Sequence, residues 1–370
     1  MRPIYLDNQS TTQMDPIVIE EMMPYFLEKY GNASSKSHLY GWECSEAIEI
    51  ARERISKLIN ANDDEIYFTS GATESINIAL KSIKPKHIIT LNTEHMVTID
   101  VCNHLNNNSC EVTYIKVPNN GIINADIISK HIKHNTSIVS IMHAHNEIGV
   151  IQPIEEIGEL CHENGILFHV DAAQSAGKLS IDVKKMHIDF LSISSHKMYG
   201  PKGIGALYIK RKKPRITIEP IFHGGGQQRG IRPGTLPVYS IVGFGKACDI
   251  AYKTINLEPK RLLDMRIHLY NGIKKNVKNI QVNGDLNNRL PGNLNLSFKS
   301  NTSEKIIMRL PDIALSNGSA CTSNSTEPSH VLKAIGLSDE LAHSSIRFSI
   351  GRFNTMDDIN HTLNKIKEIF

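Results

Sequence analysis

The sequence predicts an α/β protein in which a mostly parallel sheet forms a large domain and a smaller α+β domain follows. Two observations carry this prediction. Short apolar runs rich in Ile, Val and Phe alternate with amphipathic stretches up to about residue 253. Strands that alternate with helices of about 10–15 residues indicate a parallel sheet covered on both faces. The chain of 370 residues is also long enough for two domains, each with its own core.

The large domain begins its regular alternation with a strand and a helix. EIYFTS (65–70) is a short run rich in residues that favour strands, and ATESINIALKSI (72–83) has the pattern of the helix after it. PIEEIGELCHENG (153–165) is a further helix, with Gly at its stop position. The other strands predicted here are HIITL (87–91), EVTYIKV (111–117), SIVSIMHA (137–144), ILFHVDA (166–172) and DFLSISS (189–195).

The pattern changes in the last third of the chain. PKRLLDMRIHLYNGIKKN (259–276) is a long helical pattern that crosses to the second domain, and MDDINHTLNKIKEIF (356–370) is the closing helix. We therefore expect a large domain at 13–255 and a small domain made of 1–12 and 256–370. The strands predicted for the small domain are NLNLSF (293–298), IALSNGSA (313–320) and SSIRFSI (344–350).

The charge pattern argues against nucleic acid as a direct partner. The formal net charge is only +3, and the one basic run, KRKKPR (210–215), is typical of a solvated loop after a strand. A single Trp and few other aromatic residues leave little for stacking on bases.

Cysteine usage and hydropathy bear on the compartment. The six cysteines form no CxxC pair, which excludes the usual zinc and thioredoxin-like spacings and favours a reducing environment. The N-terminus has no apolar signal region, and no run of about eighteen apolar residues occurs. We expect a soluble cytoplasmic protein without a membrane partner, and an organelle matrix fits the same pattern.

Candidate catalytic residues stand where predicted strands end. Asp171 lies in VDAAQSAGK and Lys197 in SISSHKMYGPKGIG, and ligands of open α/β sheets bind at the carboxyl ends of strands. A lysine beside hydroxyls suits covalent binding of pyridoxal phosphate, and an aspartate suits its pyridinium nitrogen. GATES (71–75) suits a phosphate at a helix N-terminus. Each signal has a structural alternative: a turn aspartate, a surface lysine and a threonine cap.

One cysteine has unusual surroundings. Cys321 lies in NGSACTSNSTEPSH (317–330), a run of small polar residues that predicts a loop. A free cysteine is more often a small buried hydrophobic residue. A thiol in such a loop is either idle or a nucleophile, and the loop alone leaves both interpretations open.

The order of motifs along nearly the whole chain resembles a known family, the pyridoxal-phosphate-dependent cysteine desulfurases of the housekeeping iron–sulfur-cluster type, which are class V aminotransferase relatives. The resemblance implies the fold type I of pyridoxal-phosphate-dependent transferases, with Cys321 in the small domain. The motifs are YLDNQSTT, YGNASSKSH, FTSGATES, TEHMVTID, HAHNEIG, HVDAAQSAGK, SSHKMYGPKGIGALYI, GGGQQRGIRPGTLP, SNGSACTSNSTEPSHVL and LAHSSIRFSIGRF.

The resemblance also implies a role for each matching residue. Lys197 would bind the cofactor covalently, and His95 would stack on its ring and help in proton transfer. Asp171 would pair with the ring nitrogen and Gln174 with the ring hydroxyl. The remaining contacts would come from Ala72, Thr73, Ser194 and His196 at the phosphate, from Thr235 at the phosphate of the other subunit of a homodimer, and from Asn146 (also a cofactor contact) and Arg347 at the substrate carboxylate.

The implied reaction converts L-cysteine to L-alanine. Lys197 would move the α-proton, and the Cys321 thiolate would attack the substrate sulfur and keep it as a persulfide. The sulfur would pass to an acceptor protein, either an iron–sulfur scaffold or a tRNA-thiolation protein. Alternatives are a selenocysteine lyase, another class V enzyme such as an aminotransferase, a sulfur donor for DNA modification and a catalytically silent docking partner.

Three further expectations concern details. His143 and His145, two apart on a predicted strand, could face one side as a metal pair, but no further ligand completes a set, so no metal is expected. Ser10 stands where the family more commonly has Ala, an exchange expected to be harmless. Family members continue into a C-terminal tail that helps dock the scaffold, whereas this sequence stops at Phe370, which leaves scaffold docking open.

Overall fold

The computed structural model describes residues 2–211, 215–299, 301–317 and 327–370. In chain order its strands are β1 (Ile4–Tyr5), β2 (Ile66–Thr69), β3 (His87–Leu91), β4 (Glu111–Ile115), β5 (Thr136–Met142), β6 (Leu167–Asp171), β7 (Phe190–Ser194), β8 (Gly205–Ile209), β9 (Ile280–Val282), β10 (Asn293–Phe298), β11 (Ile313–Ala314) and β12 (Ser345–Ser349). Its helices are α1 (Pro16–Met22), α2 (Pro24–Leu27), α3 (Leu39–Ile59), α4 (Ala72–Lys81), α5 (Met96–Asn106), α6 (Ala125–Ser129), α7 (Ile154–Glu163), α8 (Val238–Thr254), α9 (Glu258–Asn276), α10 (Ser303–Met308), α11 (His330–Ala334), α12 (Asp339–His343) and α13 (Met356–Ile369).

The central sheet has seven strands in the order β2-β8-β7-β6-β5-β3-β4. The pairs from β7 to β4 are parallel, and β8 runs antiparallel to both of its neighbours. β3, β7 and β8 are buried along their whole length, and most of their residues are apolar, as strands covered on both faces require. The predicted α/β fold with a mostly parallel sheet is therefore confirmed.

Helices cover both faces of this sheet. Successive residues such as Ile88 and Ile89 enter different hydrophobic clusters, as the alternation of side chains along a strand requires. α4 and α5 pack together on one face, while α3 packs along α8 on the other. A Cβ on Gly245 would lie 2.6 Å from the Ala51 Cα, so this close approach of α8 to α3 requires a glycine.

A second core lies around a smaller antiparallel sheet of the order β12-β10-β9. α9 and α13 pack together against it. The start of the chain joins this unit, because β1 pairs with β11, Leu6 enters the second core and Asp7 bridges to Ser349. In contrast, Val331 of α11 packs into the core of the large sheet.

The predicted elements agree with these bounds to within two or three residues, with one correction. The strand predicted at 313–320 is shorter, because β11 ends at Ala314 and only Ser316 forms a further bridge, with Arg347; residues 318–320 lie outside the described ranges. α3 and α8 have no counterpart among the predicted elements. Within the described ranges, no helix combines the length and apolar character needed to cross a membrane.

Candidate active site

The carboxyl ends of the central strands open into a cavity of about 610 Å³, within the range of about 300–1,000 Å³ that ligand sites occupy. Met142, Asp171 and Ser194 lie at the last positions of β5, β6 and β7 and line it. The small sheet contributes Arg347. The full lining is Gln9, Ser10, Ser70, Gly71, Ala72, Thr73, His95, Val97, Met142, Asn146, Asp171, Ala173, Gln174, Ser194, His196, Lys197, Lys202, Gly203 and Arg347.

Lys197 ends a short 3-10 turn that begins directly after β7. Its Nζ donates to the carbonyl oxygens of Gln9 (2.7 Å) and Ser10 (2.6 Å). Both acceptors belong to the N-terminal segment, which thus brings two carbonyl groups to the amine. A half-buried lysine on the wall of a cavity is the arrangement that an amine nucleophile requires.

Asp171 lies on the cavity wall with 3% of its surface exposed. Its Oδ1 accepts a hydrogen bond from the Ala173 amide at 2.9 Å. Burial raises the pKa of Asp171, while that amide and the charges of His95 and Lys197 lower it. A cationic N–H group placed against this carboxylate would favour its ionised form, and a pyridinium nitrogen is such a group.

His95 caps the N-terminus of α5, where its Nδ1 accepts from the Val97 amide at 3.1 Å. The preceding residue, Glu94, is buried, and its Oε1 accepts from the Met142 amide at 2.9 Å. Burial raises the pKa of Glu94 well above its usual range, and the nearby charge of Asp171 raises it further. The Val97 amide therefore orients the His95 ring at the start of α5.

One end of the cavity suits a phosphate. α4 begins after Gly71, which has a φ of 153° that residues with a side chain rarely adopt. No side chain caps the first turn of α4. Backbone amides at a helix N-terminus attract anions. His196 is held through Nδ1 by Thr11 Oγ1 at 3.0 Å, and burial lowers its pKa to about 4, helped by the neighbouring lysines. Lys202 adds a positive charge to the cavity wall.

The other end suits a carboxylate. Arg347 is 2% exposed, yet it lines the cavity. Its Nη1 donates to the Asn146 carbonyl at 2.7 Å, and its Nη2 donates to Asp7 Oδ1 and Ser10 Oγ, each at 2.6 Å. Its Nε is buried and has no partner among the described residues. An unsatisfied donor on a buried guanidinium is a ready contact for an anionic ligand.

The predicted site residues fall into three groups. Thr235 is exposed and does not line the cavity, and Cys321 lies outside the described residues. The others line the one cavity: Ala72, Thr73, His95, Asn146, Asp171, Gln174, Ser194, His196, Lys197 and Arg347.

The sequence-based reasoning missed Gln9 and Lys202, and it took Ser10 to be without effect. Lys202 belongs to the Gly/Pro-rich turn after Lys197, and only this position in the sequence could have indicated that it lines the cavity. Nothing local marks Gln9 or Ser10, because the N-terminal segment reaches the site only through tertiary contacts.

The two histidines considered as a metal pair do not lie on a strand, since β5 ends at Met142. His145 is held inside the protein, with Nε2 at 2.7 Å from the Thr93 carbonyl oxygen and Nδ1 accepting from the Glu147 amide. Burial lowers its pKa to about 3, so the ring is neutral. In the part of the chain that the structure describes, no three His, Cys, Asp or Glu side chains are grouped to hold a metal ion.

These residues fit pyridoxal phosphate. An uncapped helix start, a buried carboxylate, a lysine amine and the guanidinium of Arg347 line one cavity. They match the phosphate, the ring nitrogen and the aldehyde of that cofactor and the carboxylate of an amino acid substrate.

Comparison with solved structures gives the same architecture. A structure described as a NifS-like protein has a TM-score of 0.92 and 34% sequence identity, and the match covers 99% of each chain. Another, described as SspA in complex with cysteine, has a TM-score of 0.84 and 36% identity over 95% of this chain and 100% of that one. These matches confirm the predicted fold class.

Curated sequences are closer still. The chain is 52% identical to a probable mitochondrial cysteine desulfurase of Dictyostelium discoideum, over 99% of this chain and 83% of the relative. It is 51% identical to the cysteine desulfurase IscS of Ehrlichia chaffeensis, over 96% of this chain and 88% of the relative. Residues 4–361 match the aminotransferase class-V family. With the lysine, the aspartate and the arginine in one cavity and these matches over almost its whole length, the chain belongs to the aminotransferase class-V family.

Proposed function

We propose that this protein is a pyridoxal-phosphate-dependent cysteine desulfurase, which converts L-cysteine to L-alanine and keeps the sulfur as a persulfide on Cys321. The observation that carries the proposal is the cavity itself. One wall holds an amine, Lys197, and a buried carboxylate, Asp171, and the opposite unit supplies the guanidinium of Arg347. Together they suit an amino acid bound next to this cofactor.

Each end of the cavity then has its own task. The start of α4 with Ala72 and Thr73, together with Ser194 and His196, holds the phosphate, and Lys202 adds charge there. Arg347 and Asn146 orient the substrate carboxylate. Pyridoxal phosphate, when bound, supplies an electron sink for the bonds at the substrate α-carbon. Asp171 keeps that sink effective by holding the ring nitrogen protonated.

The chain's own residues carry the protons and the sulfur. The Lys197 amine takes the α-proton of the substrate, assisted by His95. The Cys321 thiolate attacks the substrate sulfur, so that a sulfur–sulfur bond forms while the carbon–sulfur bond breaks and its electron pair stays with the β-carbon. That carbon then takes up a proton, and alanine leaves. The small polar residues around Cys321 in the sequence suit a sulfur that must reach both the cavity and a partner protein.

A homodimer is part of this proposal. Large apolar side chains are exposed along α1–α3, where a monomer would keep few, and Phe26 of α2 stacks on Tyr239 of α8 at 4.5 Å. Thr235 lies four residues before Tyr239 and is itself exposed. A second copy of the chain covers this apolar surface and receives Thr235 at its phosphate end. The exposed residues are Ile17, Ile19, Met23, Phe26, Leu27, Tyr30, Leu39, Tyr40, Trp42 and Ile50.

The dimer can be tested by placing one negative charge on the exposed apolar surface of α1–α3. Leu27 and Leu257 are both 73% exposed, but only Leu27 belongs to the apolar surface of α1–α3. Leu27→Asp should sediment as a monomer, whereas Leu257→Asp should keep the mass of the wild-type dimer. A wild-type protein that sediments as a monomer at micromolar concentration would contradict the homodimer.

We further propose that residues 13–255 form the large domain and that residues 1–12 and 256–370 form the small domain. The two separate cores support this division, although α11 and α12 of the second part pack on the first.

The sulfur acceptor is a protein of iron–sulfur-cluster assembly or tRNA thiolation. A reducing compartment, either the cytoplasm or an organelle matrix, suits an enzyme with a working thiol; the five described cysteines are all free.

The decisive experiment measures alanine released from L-cysteine in the presence of a reductant. The wild-type protein should release alanine continuously, and Cys321→Ser should release almost none while it still binds the cofactor. L-Selenocysteine assayed in parallel distinguishes a selenocysteine lyase, which would act on it alone. Equal turnover by Cys321→Ser would mean that another thiol carries the sulfur. If neither protein released alanine, the protein would be a catalytically silent docking partner and not a desulfurase.

A further inference from the structure

Lys178 lies behind the candidate active site and does not line its cavity. It borders a separate small cavity of about 40 Å³ between the two units, together with Gln9, Tyr199 and Glu258. Its Nζ donates to Gln174 Oε1 at 3.2 Å. Gln174 does line the active-site cavity and is 3% exposed. A lysine is therefore in contact with the back of a residue that faces the site.

The second contact of the Gln174 amide fixes its orientation. Its Nε2 donates to the Gln9 carbonyl oxygen at 2.8 Å. Burial lowers the pKa of Lys178 to about 7, but its amine carries N–H donors in either charge state and donates to Gln174 here, whereas a carbonyl oxygen can only accept. If the amide were turned over, Nε2 would meet the Lys178 donor and Oε1 would meet the Gln9 acceptor. Both neighbours thus select the same orientation, with oxygen toward Lys178 and nitrogen toward Gln9.

This orientation decides what Gln174 offers to a ligand. An amide nitrogen has two N–H groups, and the Gln9 carbonyl uses one of them. The second remains for a group in the cavity. The opposite orientation would present a carbonyl oxygen there, which would repel the ionised ring oxygen of pyridoxal phosphate.

We propose that Lys178 is a positioning residue, which turns the Gln174 amide so that an N–H group, and not the carbonyl, reaches the ring oxygen of the cofactor. This inference rests on the proposed function and adds a residue to it. A donor at the ring oxygen favours its ionised form and so lowers the pKa of the lysine-bound cofactor, which is read from its visible absorbance.

The test uses the holoenzyme of Lys178→Met, which keeps the length of the side chain but removes the donor, and of Lys178→Arg, which keeps a donor. We measure the pH midpoint of the visible band and the dissociation constant of the cofactor. Lys178→Met should raise the midpoint by about half a unit and weaken cofactor binding about fivefold, the size of one ordinary hydrogen bond. Lys178→Arg should stay close to the wild type. Lys184→Met, which removes an exposed lysine six residues away, controls for the lost charge.

A double-mutant cycle separates positioning from a direct effect of charge. Gln174→Leu removes the donor altogether and should raise the midpoint at least as far as Lys178→Met, and adding Lys178→Met to Gln174→Leu should shift the midpoint no further. Additive shifts, or a Lys178→Met protein with an unchanged midpoint, would overturn the inference. If Lys178→Met fails to fold, Lys178→Gln replaces it with a shorter side chain and the same expectation of a raised midpoint. A wild-type protein without a visible band on addition of cofactor would instead refute the proposed function.

Discussion

Replacement of Ser10 by alanine tests the substrate end of the site. Ser10 Oγ lies 2.6 Å from Arg347 Nη2, so Ser10→Ala removes one hydrogen bond to a charged group, an interaction of about 1.5–3 kcal/mol. Arg347 keeps its contacts with Asp7 and Asn146, which places the loss at the lower end. Because about 1.4 kcal/mol is a factor of ten, kcat/KM for L-cysteine should fall about tenfold.

The division of this loss between the kinetic constants is diagnostic. In the proposed function Arg347 would hold the carboxylate equally before and during the reaction, so KM should rise while kcat stays unchanged. The assay is alanine release at varied L-cysteine, with cofactor affinity measured separately and expected to be that of the wild type. Ser180→Ala, at an exposed serine, is the matched control. An unchanged KM would support the sequence-based expectation that this exchange is harmless and would refute the reasoning from the structure.

Three further variants test other parts of the site. Lys197→Ala should abolish the visible absorbance of the lysine-bound cofactor, and a normal band would remove Lys197 from that role. Asp171→Ala should lose cofactor affinity and activity together, by about tenfold or more, because no other described acid lines the cavity; an unchanged dissociation constant would contradict the pairing with the ring nitrogen. Burial raises the pKa of Glu147 from 4.5 to about 7, so the folded state binds its proton more tightly than the unfolded state. Its contribution is complete below pH 4.5 and is lost as the pH rises to 7. The free energy of unfolding of the wild-type protein should therefore fall between pH 5 and pH 8 by up to about 3 kcal/mol more than that of Glu147→Gln, as measured by denaturant titration. An equal fall in the two proteins would contradict the raised pKa.

The strands and the residues at their ends could be predicted because their signals are local. β3 and β10 coincide with the predicted apolar runs, Asp171 is the last residue of β6, and Lys197 lies three residues after the end of β7. The helix α8 was missed because Pro237, at its start, provides no side-chain cap. α3 begins at His38, a residue that rarely signals a helix N-terminus.

Other parts of the site depend on contacts between distant residues. Ser10 meets Arg347 across more than three hundred positions, and the Gln174 amide meets the Gln9 carbonyl across 165 positions. No periodicity or motif spacing encodes such pairs. The role of Cys321 came from its polar loop and from the resemblance, and it stays a prediction because that residue lies outside the described ranges.

Residues 7–12 connect the two ends of the chain at the site, and this has a consequence for the order of folding. Asp7 bridges to Ser349, Thr12 bonds to the backbone of His196, and the carbonyls of this segment hold the Lys197 amine. During synthesis, the first dozen residues leave the ribosome more than three hundred positions before β12. The lysine and the arginine can therefore enter their final arrangement only after the last strand has been made. Because α11 also completes the core of the large sheet, the site and that core are finished only near the end of synthesis, so cofactor capture would report the completion of folding.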